Sequence, residues 1–218
     1  MAVMKIFGTP LSVNVARVIA VMNEKNLEYE LVDVNLHNGD HKKEPFLSMN
    51  PFGQVPAFQD DDIKLFESRA ICNYIVFKYK TEGTDLTHLA DLKEGSIVGV
   101  WCEVEAHQFN PLVSGIMYEY IFTKFLGGET NESKIEEYCA KLTTVLDVYE
   151  ERLKTCKYLA GDKFSMADLH HCPYLELFMK TPKAEMVTSR PHVLAWWQDI
   201  SSRPAWVKAS SGMQIPSA

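Results

Sequence analysis

Two neighbouring runs carry most of the information in this 218-residue chain: Asn50-Pro51-Phe52-Gly53-Gln54-Val55-Pro56-Ala57 and Leu65-Phe66-Glu67-Ser68-Arg69-Ala70-Ile71. The first run joins a rigid Val-Pro turn to backbone groups that lie just before a predicted strand. The second run places an acidic residue and a hydroxyl at the predicted start of a helix. Together these parts suit a site that holds a small peptide-like ligand by its main chain and its charged ends.

The residues around these runs predict a small α/β domain in the order β-α-β, then β-β-α. Apolar residues recur at helical spacing after the first strand, and an acidic turn at 60–62 separates two short strands as in a tight hairpin. The predicted strands cover residues 3–7, 29–34, 57–59 and 63–66, and the predicted helices cover residues 12–26 and 68–79. A right-handed parallel crossover is expected between the first two strands. This order resembles a thioredoxin-like domain.

The rest of the chain predicts an all-helical domain. A long helix over residues 92–125 precedes Gly127-Gly128, and further helices begin near Asn131, at Ser165 and at Pro191. Ser165 and Asp168 have the spacing of a reciprocal helix cap, and the tryptophans at 196, 197 and 206 are expected to fill the helical core. We therefore predict a first domain over residues 1–81, a polar linker over 82–91 and a helical domain over 92–218.

Composition narrows the classes of partner. The formal net charge is −7 and the basic residues are scattered, which argues against a nucleic-acid surface. No apolar run is long enough to span a membrane, and the first residues lack the pattern of a signal peptide, so a cytoplasmic protein is expected. The five cysteines show no Cys-x-x-Cys pairing, and the adjacent histidines 170 and 171 lack metal-ligand spacing. We expect reduced packing cysteines and no metal.

Ser12 is the candidate that would carry chemistry. A hydroxyl at a helix N-terminus can donate to a thiolate, and the free N–H groups and the helix dipole also favour negative charge. Since serine is a preferred N-cap, the residues alone leave open a purely structural role for Ser12.

Three further elements could hold the two ends and the middle of a tripeptide. Val55 before Pro56 could pair through its backbone with an extended ligand, and Glu67 and Ser68 could hold an ammonium and a carboxylate at a helix start. A cation in the loop of His41 and Lys42 could pair with a second carboxylate, with Gln54 as a neutral donor. An ordinary loop proline, a plain helix start and a solvated histidine remain open as alternatives.

The combination of these motifs resembles the glutathione transferases, most closely the plant phi class, over nearly the whole chain. The resemblance implies glutathione as co-substrate, no other cofactor, a catalytic Ser12 and a homodimer, and residues 46–52 are a candidate segment for its interface. It also implies glutathione contacts from these positions: Ser12, Val13, His41, Lys42, Gln54, Val55, Pro56, Glu67 and Ser68. Related families that exchange thiols carry cysteine in place of Ser12, so conjugation or reduction of organic hydroperoxides is favoured here.

The electrophile is expected in an apolar cleft between the domains. Its candidate lining residues are Leu11, Leu36, Ile116, Tyr120 and Phe122, although the last three could equally be packing residues. Two rivals of other classes share the fold, namely a non-catalytic carrier of hydrophobic metabolites or hormones and a scaffold module. Retention of Ser12 together with Val55-Pro56, Glu67 and Ser68 favours the enzyme, because a carrier does not need a hydroxyl that stabilises a thiolate.

Overall fold

The computed structural model describes residues 3–123 and 127–213 and divides into two compact units. Within these residues the first unit runs to Asp85 and takes up the chain again from Pro204, and the second unit runs from Leu86 to Arg203. The first unit therefore ends inside the predicted linker, residues 82–91. It also contains the C-terminal residues that the sequence analysis assigned to the helical domain.

A four-stranded mixed sheet forms the centre of the first unit. Its strands are β1 (Met4–Gly8), β2 (Tyr29–Asp33), β3 (Ala57–Asp60) and β4 (Ile63–Phe66), in the spatial order β2-β1-β3-β4. β1 pairs in parallel with β2 and antiparallel with β3, and β3 and β4 form the expected hairpin. Helix α1 (Val13–Glu24) connects β1 to β2, and α2 (Ser68–Lys78) follows β4. The predicted order β-α-β, β-β-α is confirmed.

Helix α1 is largely buried, because it packs against both α2 and the C-terminal helix of this unit. Val15, Val18, Ile19 and Met22, the apolar stripe seen in the sequence, are all buried. The C-terminal helix, Pro204–Ser210, closes over α1 with Trp206 and Ala209 buried. Trp206 was expected in the helical core; it lies instead in the first unit, because the last helix finds its apolar partner on α1.

The second unit is helical. In chain order its helices are α3 (Leu92–Val104), α4 (Asn110–Met117), α5 (Glu132–Leu153), α6 (Met166–Leu169), α7 (Cys172–Phe178), α8 (Glu185–Thr188) and α9 (Pro191–Ser201), and the C-terminal helix of the first unit is α10. Short 3₁₀ turns cover Asp40–Lys42, Phe46–Ser48 and Pro182–Ala184.

The long helix predicted over 92–125 is helical as far as Thr123 but is not a uniform α-helix. Two π-helical turns, Glu105–Phe109 and Tyr118–Phe122, flank α4. Pro111 lies in the first turn of α4, where its missing N–H removes one donor from the helical hydrogen-bond series. A wider turn before it accommodates this loss, since π-turns insert a residue without ending the helix.

Buried polar side chains organise the centre of the helical unit. The predicted cap is present, with both oxygens of the fully buried Asp168 accepting hydrogen bonds: Oδ2 from the Ser165 N–H and Oδ1 from the Trp196 indole, each at 3.0 Å. Burial raises the pKa of this carboxyl although the hydrogen bonds oppose the rise. His171 lies between the Tyr149 hydroxyl (2.8 Å) and the Ala167 carbonyl (2.7 Å), which explains it as a core residue.

The described residues contain neither a helix that could span a membrane nor a cluster that could hold a metal. None of the helices in residues 3–123 and 127–213 reaches the length and apolarity that crossing a membrane requires. The same residues contain no group of three or more His, Cys, Asp or Glu side chains placed to hold a metal ion.

Candidate functional site

Ser12 lies at the end of the loop between β1 and α1, and it is the N-cap of that helix. Its backbone is extended (φ −79°, ψ 123°), and its Oγ accepts a long hydrogen bond of 3.5 Å from the Val15 N–H. Among the residues that the structure describes, no hydrogen bond uses the Ser12 hydroxyl as a donor. The N-cap role is therefore real, and it leaves the hydroxyl proton available to a ligand at the positive end of the helix.

Gly8 brings the start of α1 close to Val55. A Cβ atom built at Gly8 would lie 2.5 Å from Val15 Cγ2 and 3.3 Å from Val55 Cβ. The first distance is shorter than real Cβ contacts and the second is tight, so a larger residue at Gly8 would displace Val15. The turn that carries Val55 is thereby held against the first turn of the helix that carries Ser12.

The Val55-Pro56 peptide bond is cis. Val55 precedes β3, and within the described part of the chain no hydrogen bond engages its N–H or its C=O. An extended ligand could use both groups by adding one short strand beside it. Pro56 is buried, whereas the side chain of Gln54 is exposed.

Asn50 holds this turn in shape from within. Its side chain is almost fully buried, its Nδ2 donates to the Gln54 carbonyl at 2.6 Å and its Oδ1 accepts from the Phe52 N–H at 3.1 Å. The Gly53 N–H also donates to the Asn50 carbonyl at 2.9 Å. One side chain thus satisfies both termini of the turn and sets where Gln54 and Val55 lie.

The loop of His41 and Lys42 is packed onto the same turn. Gly53 has a φ of +57°, and a Cβ there would lie 2.6 Å from the His41 carbonyl oxygen. Lys42 Nζ donates to the Phe52 carbonyl at 3.0 Å. Burial, followed by the charge of Lys42, lowers the pKa of His41, which favours the neutral imidazole.

Glu67 and Ser68 begin α2 as the sequence predicted, and the structure adds a partner for Ser68. Glu67 is exposed, and its backbone has a φ of +68°, which is strained for any residue other than glycine. Ser68 is 6% exposed, and its Oγ accepts a hydrogen bond of 2.8 Å from Arg17 Nη1. Arg17 is fully buried on α1, so this contact joins the helices that carry Ser12 and Ser68.

Within the first unit, the predicted contact residues form one continuous set. The chain of contacts runs from Lys42 through the 50–54 turn to Val55, from Val55 through Gly8 to the start of α1, and from α1 through Arg17 to Ser68. Sequence reasoning missed two supporting residues, Arg17 and Asn50. A basic residue inside an otherwise apolar helix was the available signal for Arg17. The position of Asn50 before Pro51 was the signal for a turn role.

The candidates for the electrophile site are distributed over both units. Leu11 and Leu36 belong to the first unit and are 52% and 39% exposed. Ile116 on α4 is fully buried, and Tyr120 in the following π-turn is half-buried. The side chain of Phe122 lies outside the described residues. An apolar cleft lined by these five residues stays a prediction.

A separate cavity of about 420 Å³ opens on the first unit. Its walls include Phe7, Val34, Phe46 and Met49, and none of the predicted glutathione contacts lines it. Val34 and Phe46 form a hydrophobic cluster with Ala57, against which Val55 packs. This cavity is therefore distinct from the candidate site, while the cluster at its walls supports the turn of Val55.

Comparison with known proteins agrees with the geometry. The family model for the glutathione S-transferase N-terminal domain matches residues 2–76, and the model for the C-terminal domain matches residues 109–204. Glutathione S-transferase F13 of Arabidopsis thaliana is 52% identical over 97% of this chain and 97% of its own. The chain belongs to the glutathione S-transferase family. The F-class relatives place this transferase in the plant phi class, as the resemblance implied.

Solved structures confirm the glutathione transferase fold. The crystal structure of glutathione transferase F7 from Populus trichocarpa superposes with a TM-score of 0.96 at 49% identity, covering 98% of this chain and 100% of the other. Glutathione S-transferase I from maize, in complex with an atrazine glutathione conjugate, superposes with a TM-score of 0.92 at 41% identity and covers 100% of both chains. The predicted family and fold are confirmed for this transferase.

Proposed function

We propose that this glutathione transferase uses the Ser12 hydroxyl to stabilise the thiolate of bound glutathione, which then attacks a hydrophobic electrophile. The observation that supports this most directly is the state of Ser12. Its Oγ accepts from its own helix while its proton is not donated to any described residue. A serine at a helix N-terminus in this state is prepared to donate to an anion.

The chemical need is to ionise a thiol near neutral pH. The thiolate is the nucleophile, and an unperturbed thiol has a pKa of ~8.5, so most of it is protonated at pH 7. A hydrogen bond from Ser12 and the N-terminal dipole of α1 both favour the anion and lower that pKa. Serine cannot form a mixed disulfide with glutathione, so conjugation is favoured over thiol transfer.

The tripeptide is assigned along the contact chain described above. The backbone of Val55, before the buried Pro56, pairs with the cysteinyl residue, and Val13, the first residue of α1, borders the sulfur. Glu67 accepts from the γ-glutamyl ammonium, and Ser68 donates to its carboxylate. Lys42 pairs with the glycyl carboxylate, with neutral donors from His41 and Gln54.

A second activity, reduction of organic hydroperoxides, follows from the same thiolate. A hydroperoxide is an electrophile at oxygen: the thiolate attacks its terminal oxygen, the O–O bond breaks, and the alcohol leaves after taking up a proton. A second glutathione then reduces the resulting glutathione sulfenic acid, which gives glutathione disulfide and water. The candidate contact residues for either substrate are Leu11, Leu36, Ile116, Tyr120 and Phe122. The relative found with an atrazine glutathione conjugate supports an aromatic electrophile.

The test is conjugation of glutathione to a chloronitrobenzene by the wild-type protein and by Ser12→Ala. Loss of a hydrogen bond to a charged sulfur should lower the rate roughly ten- to a hundred-fold, with glutathione still bound. Ser12→Thr is the matched control, because threonine keeps both the cap and the hydroxyl. Its rate should stay well above that of Ser12→Ala, and its helix content should equal that of the wild type.

Two outcomes would contradict the proposal. Equal rates for the wild type and Ser12→Ala would reduce Ser12 to a helix cap. Binding of glutathione and of the electrophile without turnover in either protein would instead favour the carrier of hydrophobic metabolites.

We also propose that the protein is a cytoplasmic homodimer. Phe52 supports a contact between copies, because its side chain is 66% exposed although its ring lies tilted beside that of Phe66, with ring centres 6.0 Å apart. Light scattering after gel filtration should give twice the mass of one chain. A mass equal to one chain would exclude the dimer.

A further inference from the structure

Arg17 is the most deeply buried charged side chain of the first unit, with 0% exposure in the middle of α1. An arginine is rarely fully buried, because its guanidinium must exchange water for fixed acceptors. The acceptors for its Nη1 are Asn14 Oδ1, one turn earlier on the same helix, and Ser68 Oγ on α2. The second of these is a residue to which we have assigned a role in binding glutathione.

The polarity of this contact follows from the chemistry of the two groups. A guanidinium has only donors, whereas a serine hydroxyl has one donor and can accept two hydrogen bonds. The Ser68 Oγ must therefore accept from Arg17, at 2.8 Å, and cannot use its own proton in that bond. In the described part of the chain, no other hydrogen bond consumes the Ser68 proton.

We propose that Arg17 is a positioning residue that makes Ser68 an obligatory donor toward the γ-glutamyl carboxylate of glutathione. The inference rests on the proposed function and deepens it. Ser68 is the first residue of α2, so its hydroxyl then presents its proton to an anion at the positive end of that helix. Without Arg17 the hydroxyl could donate inward and present its lone pairs to the carboxylate, which would repel it.

The same side chain sets the distance between the two halves of the site. Arg17 stands on α1, the helix that Ser12 caps, and reaches a residue 51 positions later in the chain. It therefore fixes α2, with the γ-glutamyl end of the ligand, against α1, with the thiolate end. Its role is to orient Ser68, and it does not touch the reacting sulfur.

The test compares two ligands. Glutathione carries the γ-glutamyl α-carboxylate, whereas 4-aminobutyryl-cysteinylglycine lacks only that group. Calorimetry gives the ratio of their dissociation constants for the wild type, Arg17→Met, Arg17→Gln, Arg17→Lys and Ser68→Ala. We expect the wild type to prefer glutathione by at least about ten-fold, as a charge-assisted hydrogen bond requires. Arg17→Met and Ser68→Ala should each abolish most of this preference.

The ratio distinguishes positioning from general support of the fold. A merely structural role of Arg17 would weaken both ligands equally and leave the ratio at its wild-type value. Gln can accept as well as donate, so it should fail like Met, whereas Lys has only donors and should keep most of the preference. Removing Ser68 from the Arg17→Met variant should cause no further loss, because both changes act on one hydrogen bond.

Several outcomes would overturn the inference. One such outcome is that Ser68→Ala loses the preference for glutathione while Arg17→Met or Arg17→Gln keeps the wild-type ratio of dissociation constants. Ser68 would then be oriented without Arg17. A ratio for Arg17→Lys no better than that for Arg17→Gln would contradict the donor-only argument. Failure of the wild type to bind glutathione would overturn the proposed function itself, whereas glutathione binding with a ratio near one would overturn only the carboxylate contact.

Discussion

At the scale of single residues, Glu67 shows how the site uses a strained backbone. It lies between β4 and α2 with φ +68° and ψ 106°, and its side chain makes no capping hydrogen bond. A non-glycine residue in this conformation costs of order 1–3 kcal/mol and persists only where its surroundings hold it. The strain turns the chain so that Ser68 can begin α2 beside Arg17.

Replacing Glu67 by glycine should therefore separate stability from binding. We expect Glu67→Gly to raise the free energy of unfolding by about 1 kcal/mol, because glycine adopts positive φ without strain. We expect it to weaken glutathione about ten-fold, because the acceptor for the γ-glutamyl ammonium is lost. Urea unfolding and calorimetry measure the two effects.

Asp61 offers a matched control for that substitution. It also has positive φ (50°), is exposed and lies in the β3–β4 hairpin, away from the contact chain of the site. Asp61→Gly should relieve similar strain and leave the glutathione affinity unchanged. An unaltered affinity in Glu67→Gly would remove Glu67 from the binding site.

At the scale of elements, helix α9 begins on a carboxylate supplied by another helix. Glu150 of α5 accepts from the N–H groups of His192 and Val193, each at 3.0 Å, and from His192 Nδ1 at 2.7 Å. Burial by itself raises the pKa of Glu150, but the hydrogen bonds from His192 and Val193 outweigh it and lower the pKa below the usual 4.5. The carboxylate thus takes the place of an N-cap for α9.

A lowered pKa makes this contribution to stability dependent on pH. For a carboxyl whose folded pKa lies below its unfolded pKa, the stabilisation is complete above 4.5 and is lost as the pH falls through the folded value. We expect Glu150→Gln to lower the free energy of unfolding by about 1–2 kcal/mol at neutral pH. The difference from the wild type should shrink as the pH falls below 4.5, in urea titrations at a series of pH values.

Glu137 provides the control on the same helix. It pairs with Lys141 one turn away, and both side chains are exposed, so Glu137→Gln should change stability little at any pH. A difference between Glu150→Gln and the wild type that did not depend on pH would show that the charge of Glu150 contributes nothing to the cap.

At the scale of the whole molecule, the chain returns to its first unit at the end. Helix α10 packs on α1, Asn23 Nδ2 donates to the Ala205 carbonyl at 3.0 Å, and Trp206 is 3% exposed. Beyond this helix, Gly212 lies close to Pro10, the residue two positions before Ser12. A Cβ atom at Gly212 would lie only 2.7 Å from Pro10 Cβ. The C-terminal segment therefore completes the support of the helix on which Ser12 lies.

Trp206→Ala should reveal this support as a loss of stability in α1. Removing a buried tryptophan should lower the free energy of unfolding by about 3–5 kcal/mol, because apolar burial is lost and a cavity is left behind. Hydrogen exchange should show faster exchange in residues 13–24, together with a lower midpoint of urea unfolding. Val207→Ala is the matched control, since Val207 is 52% exposed on the same helix. Equal effects of the two substitutions would mean that α10 does not support α1 through Trp206.

The elements that the sequence predicted well are those whose signals are local. Helix starts at Ser12, Ser68 and Ser165 were recognisable because a capping residue and an apolar period occur within one or two turns. The segment 92–125 was predicted as one long helix, and its two π-turns were not predicted, because the hydrophobic period alone does not show a local widening of a helix.

The sequence by itself determined the order of strands and helices, the phi-class resemblance and the residues that face glutathione in our proposal. These depend on capping, turns and periodicity, which act over a few residues. Only the tertiary structure decided that α10 packs on α1 and that Arg17 meets Ser68, 51 positions later. Such partners are selected by packing and by the need to satisfy buried polar groups, and those requirements arise only when distant segments come together.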